Sequence, residues 1–252
     1  MSAQFATKLL GWKKLEKSDI AVPNSADTSS KPSKALAEGI LDYLGVPTKQ
    51  VLPETPADLG PALELAVRGD LEDALRTIAS SREWHLDHKK VVSDFDQYRH
   101  LRKVAKAVRE NPALRADLGL DYLIKPDVTV GLTQSSPSTD TAPFLHAAVS
   151  CKWTIRSDRV QNVRHEFLQM IRHRRGRLPH LVAVTAEPMP SRIAAIARGT
   201  GEVDAVYHIA LDALKVSTDA YGSQQQKDDL SECIGQKRLL PYEDLAPTLA
   251  SW

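Results

Sequence analysis

The chain has 252 residues, and 42% of them are hydrophobic, which is enough to bury a sizeable core. No apolar run reaches the roughly 20 residues that span a bilayer, and the N-terminus lacks a secretory signal, so we expect a cytoplasmic protein. Two cysteines, Cys151 and Cys233, are too few for a disulfide framework, and no CxxC pair indicates a structural zinc site. The formal net charge of +1 means that any nucleic-acid surface must come from a local excess of basic residues.

The first half of the sequence is predicted to be mainly helical. A polar stretch, "VPNSADTSSKPS" at 22–33, predicts a loop. Three segments with apolar residues at helical spacing follow it, at 34–45, 62–81 and 96–119. We expect one domain over 1–252, in which residues 1–50 form an N-terminal arm of loop and helix.

The second half predicts alternating strands and helices. Two strands, 121–132 and 144–155, are rich in Val, Ile, Leu and Phe and flank a polar loop. A helix, a third strand, a second helix and a fourth strand follow at 160–171, 180–188, 191–199 and 203–211. This order predicts an α/β fold whose central mixed sheet is flanked by helices. The polar stretch 221–232 is predicted to be an exposed loop.

The stretch "SCKWTIRSDR", residues 150–159, joins the second strand to a charge cluster. Because side chains alternate across a strand, Ser150 and Lys152 share one face, and Cys151 points to the other, into the core. Asp127, at the start of the preceding strand, can meet Lys152 on that face. A carboxylate beside an ammonium group can hold a divalent metal ion and a water molecule, although one carboxylate is not enough.

A second carboxylate is available on the helix that follows. Helical spacing puts Arg159 and Glu166 at nearly the same angle, on a polar face opposite the apolar stripe. Each candidate also has an ordinary structural interpretation when taken singly. Lys152 can cap a strand, Asp127 can end a turn, and Glu166 can be a solvated helix residue.

Two quoted motifs carry a resemblance to a known family. "PD" at 126–127, followed by a strand ending in x-x-Lys, resembles the PD-(D/E)xK nuclease superfamily. "SCKWTIRSDR" resembles the NgoMIV family of type II restriction endonucleases. The likeness extends over 176–211 and, more loosely, over 97–127 and "NSADTSS" at 24–30. It implies a restriction-endonuclease-like core, with the catalytic and DNA-reading part in 120–211.

The resemblance also implies catalytic roles. Ser150 stands where the superfamily usually has an acidic residue, and the family takes the missing carboxylate from the next helix, which here implies Glu166. Asp127 and Glu166 are then expected to hold Mg²⁺, with two ions per active site, helped by the backbone carbonyl of Cys151. Lys152 is expected to position or activate the attacking water. Glu64, in "GPALELA", matches a further active-site glutamate.

DNA reading follows from the same likeness. Lys152 to Arg177 contains eight Lys or Arg residues against two acids. Arginine can donate two hydrogen bonds to guanine, and aspartate can accept one from cytosine. The resemblance implies that Arg156, Asp158 and Arg159 are the readers of CCGG. The readers of the outer G·C pair match Arg192 and Asp27, with Ser29 beside them. The implied recognition sequence is GCCGGC, cut after the first G.

The family further implies an assembly and a cellular setting. A palindrome predicts a two-fold dimer, and the family implies a homotetramer of two dimers. The host, a bacterium, would protect its own DNA with a cognate methyltransferase.

Two other functions stay open from the residues alone. Another nuclease of the superfamily, such as a repair or structure-specific enzyme, would keep the catalytic residues without the base readers. A DNA-binding protein without catalysis is the third interpretation, and the intact Asp127, Glu166 and Lys152 speak against it. His85 and His88 in "EWHLDH" are predicted to be exposed residues of a polar, helix-like segment.

Overall fold

A computed structural model gives the fold. It describes residues 2–15, 20–47, 51, 56–111, 113, 114, 116, 119, 122–133 and 142–252, without the side chains of 157–159. The predicted loop 133–143 therefore lies largely outside the described residues. Within the described part of the chain, no helix is both long and apolar enough to cross a bilayer.

A six-stranded mixed sheet forms the centre of the fold. Its strands are β3 (Trp84–His88), β4 (Val128–Leu132), β5 (Phe144–Lys152), β6 (His180–Thr185), β7 (Ala205–His208) and β8 (Leu239–Pro241). They are hydrogen-bonded in chain order; β3, β4 and β5 pair antiparallel, and β5 to β8 pair parallel. The middle seven residues of β5 are buried, as expected of a strand covered on both faces.

Helices flank the sheet and connect its strands. They are α1 (Ala6–Leu9), α2 (Lys31–Tyr43), α3 (Leu59–Ile78), α4 (His100–Glu110), α5 (Ser157–His173), α6 (Pro190–Ala197), α7 (Leu211–Tyr221), α8 (Gln224–Gly235) and α9 (Leu245–Ser251). In the described ranges, short 3₁₀ turns occur at Val92–Asp94, Asp96–Tyr98 and Tyr242–Asp244. The predicted α/β fold with a mixed central sheet is confirmed, and it is consistent with a restriction-endonuclease-like core.

The N-terminal segment is tied to the sheet. A small hairpin of β1 (Trp12–Lys14) and β2 (Ala21–Pro23) precedes Asn24, whose side chain bonds the backbone of Leu9 and Gly11. The Trp153 indole donates to the carbonyl of Asn24 at 3.2 Å. These bonds place the segment that follows β2 beside the end of β5.

Two sequence-based assignments are wrong. The segment containing His85 and His88 is an antiparallel edge strand, β3, because Trp84 and Leu86 alternate into the core. Residues 224–235 form a helix where an exposed loop was predicted. Ser223 and Gln226 build a reciprocal capping box at its start, and Leu230 and Cys233 are buried.

Two helical glycines should respond in opposite ways to replacement by alanine. A Cβ on Gly39 of α2 would lie 2.4 Å from the Ser217 hydroxyl of α7, whereas a Cβ on Gly69 of α3 would meet nothing within 4 Å. We expect Gly39→Ala to lower the free energy of unfolding by about 1–3 kcal/mol because of overpacking. Gly69→Ala should raise it by about 0.5–1 kcal/mol through helix propensity. Urea denaturation measures both, and a stabilising Gly39→Ala would contradict the α2–α7 packing.

Candidate active site

Asp127 and Lys152 form the centre of the candidate site. The pairing of Val128 with Val149 sets Asp127, one residue before β4, against the end of β5. Asp127 Oδ2 accepts hydrogen bonds from Lys152 Nζ and from the backbone N–H of Cys151, both at 2.7 Å. Lys152 and Asp127 are only 20% and 15% exposed, so their ion pair is partly withdrawn from water. Strand alternation had predicted this meeting of carboxylate and ammonium.

The two residues before Lys152 differ in their surroundings. Ser150 is buried, and its hydroxyl lies 3.4 Å from Asp127 Oδ2, where the usual superfamily pattern has a carboxylate. The Cys151 side chain is also buried, and burial raises the pKa of its thiol well above the ordinary value. A neutral, enclosed thiol is a poor nucleophile, which agrees with the predicted core position.

Glu166 supplies the second carboxylate, but not from a solvated face. Its Oε1 atom is buried and has no hydrogen-bond partner among the described residues. At 100° per residue, Glu166 lies within about 60° of the buried Val163 and Met170, so it borders the apolar stripe of α5. The predicted position opposite that stripe is therefore wrong. Burial, together with the Asp127 charge, raises the pKa of Glu166 to about 7, although the Lys152 charge opposes the shift.

These groups fit a divalent cation. A buried carboxylate oxygen without a donor, electrostatically coupled to a second carboxylate, is costly unless a cation neutralises both. Within the described part of the chain, no group of three His, Cys, Asp or Glu side chains is arranged to hold a metal. Two carboxylates supplemented by a backbone carbonyl and water are a set that suits Mg²⁺, which keeps several waters.

The burial of Glu166 predicts a cost in stability. Its carboxyl pKa is about 7 in the folded protein and about 4.5 when exposed, so the folded state binds the extra proton. This contribution to the unfolding free energy is fully present below pH 4.5 and is lost as pH rises through 7. We expect Glu166→Gln to exceed the wild type in stability by about 1–3 kcal/mol at pH 8 and to match it near pH 4.

Denaturant unfolding at both pH values measures this difference. Mg²⁺ should raise the melting temperature of the wild type more than that of Glu166→Gln, because a bound ligand stabilises the folded state. Equal unfolding free energies at pH 8 would contradict a buried, charged Glu166.

Glu64 lies in a neighbouring cluster. It is buried on α3, and its Oε2 accepts hydrogen bonds from His88 Nε2 at 2.6 Å and Lys89 Nζ at 2.8 Å. Burial raises the pKa of Glu64, but the bonds from Lys89 and His88 outweigh it and bring the pKa below the ordinary value. The Lys89 backbone N–H donates to the Asp127 carbonyl at 3.1 Å, which joins the cluster to the active site. His88 is exposed, as predicted, and its ring nitrogen is engaged with Glu64.

Two of the candidate DNA-reading residues line one groove beyond the end of β5. Arg156 is exposed at the N-cap of α5, and it lines a 350 Å³ groove together with Arg192 of α6. Asp158 and Arg159 belong to the first turn of α5, and their side chains lie outside the described residues. Two of the predicted readers therefore face one groove.

Arg192 and Asp27 meet although they are far apart in sequence. Arg192 Nη2 donates to Asp27 Oδ2 at 2.5 Å across 165 residues. The other oxygen of Asp27 accepts from the Ser29 hydroxyl at 2.7 Å and from the Ser29 backbone N–H at 3.1 Å. The hydrogen bonds from Ser29, followed by those from Arg192, hold the pKa of Asp27 well below its usual range. Arg192 and Asp27 thus form a charged pair next to the groove, and Ser29 holds Asp27 in place.

Two residues of this region were not predicted from the sequence. Lys89 has a left-handed backbone with φ of 52°, and no sequence motif marks it. Glu187, at the end of β6, is completely buried between the candidate readers. An acidic residue directly after a buried strand, as in "VTAEP", was the available signal for Glu187.

Comparisons with known proteins identify the family of this chain. The sequence model described as NgoMIV restriction enzyme matches residues 6–140 and 131–250. Type II restriction enzyme NgoMIV of Neisseria gonorrhoeae is 38% identical over 276 aligned residues. The alignment covers 98% of this chain and 96% of that protein.

Proposed function

Because the chain belongs to the NgoMIV restriction enzyme family and is a type II restriction endonuclease, we propose that it cuts both DNA strands at GCCGGC, after the first G. Family membership makes DNA its partner and phosphodiester hydrolysis its reaction. The proposed cofactor is Mg²⁺, as two ions per active site, held by Asp127, Glu166 and the carbonyl of Cys151.

The observation that carries the catalytic part is the Lys152–Asp127 ion pair, to which the buried carboxylate of Glu166 is electrostatically coupled. Mg²⁺, when bound, supplies charge stabilisation for the attacking and leaving oxygens and a more acidic water. Lys152 Nζ lies 2.7 Å from Asp127 Oδ2, so its ammonium can hold the attacking water or a phosphate oxygen beside the metal ligands. Glu166 Oε1 has no hydrogen-bond partner among the described residues, so no hydrogen bond would have to break when it binds the metal. Glu64, held by His88 and Lys89, is proposed to support this charge arrangement.

Base reading is supported by the pairing of opposite charges. A guanidinium that donates to guanine and a carboxylate that accepts from cytosine match the two bases of one G·C pair. Arg192 and Asp27 are already in contact, with Ser29 bonded to Asp27, and they are proposed to read the outer pair. Arg156, which lines the same groove as Arg192, is proposed to read the inner CCGG together with Asp158 and Arg159.

The recognition sequence also has consequences for assembly. A palindrome places two identical half-sites about a two-fold axis, so at least two copies of the chain must act together. We propose a homodimer as the DNA-binding unit and a homotetramer of two such dimers. Each chain would be one domain with 1–50 as an arm and 120–211 as the catalytic and reading core. A cognate methyltransferase would protect the host.

A panel of synthetic duplexes tests this function. We expect rapid cleavage of GCCGGC in Mg²⁺, slow cleavage of ACCGGT, in which the outer pair is exchanged, and none of a duplex with a scrambled site. Each wrong base pair should cost about 1–3 kcal/mol. Cleavage of all three duplexes would favour a different nuclease of the superfamily. Tight binding of GCCGGC without cleavage in Mg²⁺ would favour a DNA-binding protein without catalysis.

A further inference from the structure

Glu187 is a fully buried carboxylate, and each of its two oxygens accepts a hydrogen bond from a backbone N–H. Its Oε2 accepts from the backbone N–H of Ile155 at 2.7 Å, and its Oε1 accepts from the backbone N–H of Met189 at 3.0 Å. Arg192 Nη1 lies 3.8 Å from Oε1. Burial raises the pKa of Glu187 to about 7, while these donors favour the ionised form. A buried carboxylate carries a desolvation cost that a neutral side chain would avoid.

The side-chain contacts of Glu187 join two segments of the chain. Ile155 directly precedes Arg156, so one bond fixes the start of the inner-pair reading segment. Met189 is the N-cap of α6, so a second bond fixes the helix that carries Arg192. The Arg192 side chain is 28% exposed, and its Nη2 atom binds the partly exposed carboxylate of Asp27. Its Nη1 atom faces the fully buried carboxylate of Glu187.

A hydrogen-bond chain extends from Glu187 to the catalytic strand. The Glu187 backbone N–H donates to Thr185 Oγ1 at 3.1 Å, and the Thr185 hydroxyl donates to the carbonyl of Lys152 at 2.7 Å. On the other side, His208 Nε2 contacts the Glu187 carbonyl at 3.2 Å. The backbone around Glu187 is therefore fixed to β5 and β7, and its side chain is fixed to the two reading segments.

We propose that Glu187 is the positioning residue for recognition of the outer G·C pair: it holds Arg192 and the segment beginning at Ile155 in one fixed relation. It touches no base itself and acts through Arg192. Without it, the guanidinium keeps its partner Asp27 but loses the anion behind it, and α6 loses its connection to the inner readers. This inference rests on the proposed reading of GCCGGC.

The test is a double-mutant cycle on outer-pair selectivity. Glu187→Gln turns one acceptor into an amide that faces donors, and it removes the charge. We expect the ratio of kcat/KM for GCCGGC over ACCGGT to fall roughly tenfold to 100-fold, mainly through slower cutting of GCCGGC. If Glu187 acts through Arg192, the double variant Glu187→Gln/Arg192→Ala should be no less selective than Arg192→Ala.

A matched control separates this role from general destabilisation. Asp229 is also a buried carboxylate, and it binds Arg198 at 2.7 Å and Gln225 at 3.0 Å, away from the reading groove. Asp229→Asn should lose stability without losing selectivity. Should Glu187→Gln fail to fold, Glu187→Asp keeps the charge but ends about 1.5 Å short, and the same selective loss is expected.

Two results would overturn the inference. Unchanged selectivity in the folded Glu187 variant is one, and additive losses in the double variant are the other. Failure of the proposed function would look different, because the wild type itself would then cut GCCGGC and ACCGGT equally well.

Discussion

Lys152→Ala is expected to lose cleavage of GCCGGC by about 10²–10³-fold or more while it keeps sequence-specific binding. The Lys152 ammonium lies 2.7 Å from Asp127 Oδ2 and is the charged donor closest to that carboxylate among the described side chains. Removing it leaves the two carboxylates, Asp127 and Glu166, without their local positive charge. The candidate base readers Arg156 and Arg192 stay in their groove, so binding should survive.

Single-turnover cleavage in Mg²⁺ and gel-shift titration in Ca²⁺ measure the two properties separately. Lys152→Arg is the matched variant, because it keeps the charge but replaces a compact ammonium by a planar fork. It should also be strongly impaired. Wild-type cleavage rates in Lys152→Ala would remove Lys152 from the chemistry.

Arg192→Ala should abolish discrimination of the outer base pair. The Arg192 guanidinium is 2.5 Å from Asp27 Oδ2, which holds it ready for a guanine. We expect the preference for GCCGGC over ACCGGT to fall by about 1–3 kcal/mol, that is, by roughly fivefold to 150-fold. The inner CCGG should still be required, because its proposed readers are other residues.

The matched control for this prediction is Arg198→Ala. Arg192 lies in the first turn of α6, and Arg198 lies directly after its last residue. Unlike Arg192, Arg198 forms ion pairs with Asp229 and Glu232. Competition binding with the two duplexes in Ca²⁺ compares the variants. Equal loss of selectivity in both would show that any weakened ion pair near α6 has this effect, and Arg192 would lose its assignment.

The sequence predicts the contact between Asp127 and Lys152 well because its geometry follows from strand alternation. Asp127 and Lys152 are close to two neighbouring strand ends, and a period of two residues is enough to orient them. Glu166 came from the family resemblance. Its burial escaped prediction because the polar face was drawn too wide: the helical angle of Glu166 borders the apolar stripe, and the sequence does not say which neighbouring groups enclose it.

The missed elements have identifiable physical reasons. β3 was missed because an edge strand carries polar residues, here His85 and Asp87, between its buried positions. The helix at 224–235 was missed because its polar composition is typical of an exposed loop, and the Ser223–Gln226 capping box became evident only in the structure. Glu187 makes side-chain contacts with two segments of the chain, and such a constellation exists only after the chain has folded.

Cleavage of a long DNA of known sequence tests the central proposal most directly. A plasmid with several GCCGGC sites is digested in Mg²⁺, and both ends of every fragment are mapped by run-off sequencing. We predict that all ends lie within GCCGGC, directly after the first G on each strand, which leaves four-base 5′ overhangs. Ends at other sequences, or a different cut position within GCCGGC, would contradict the proposal.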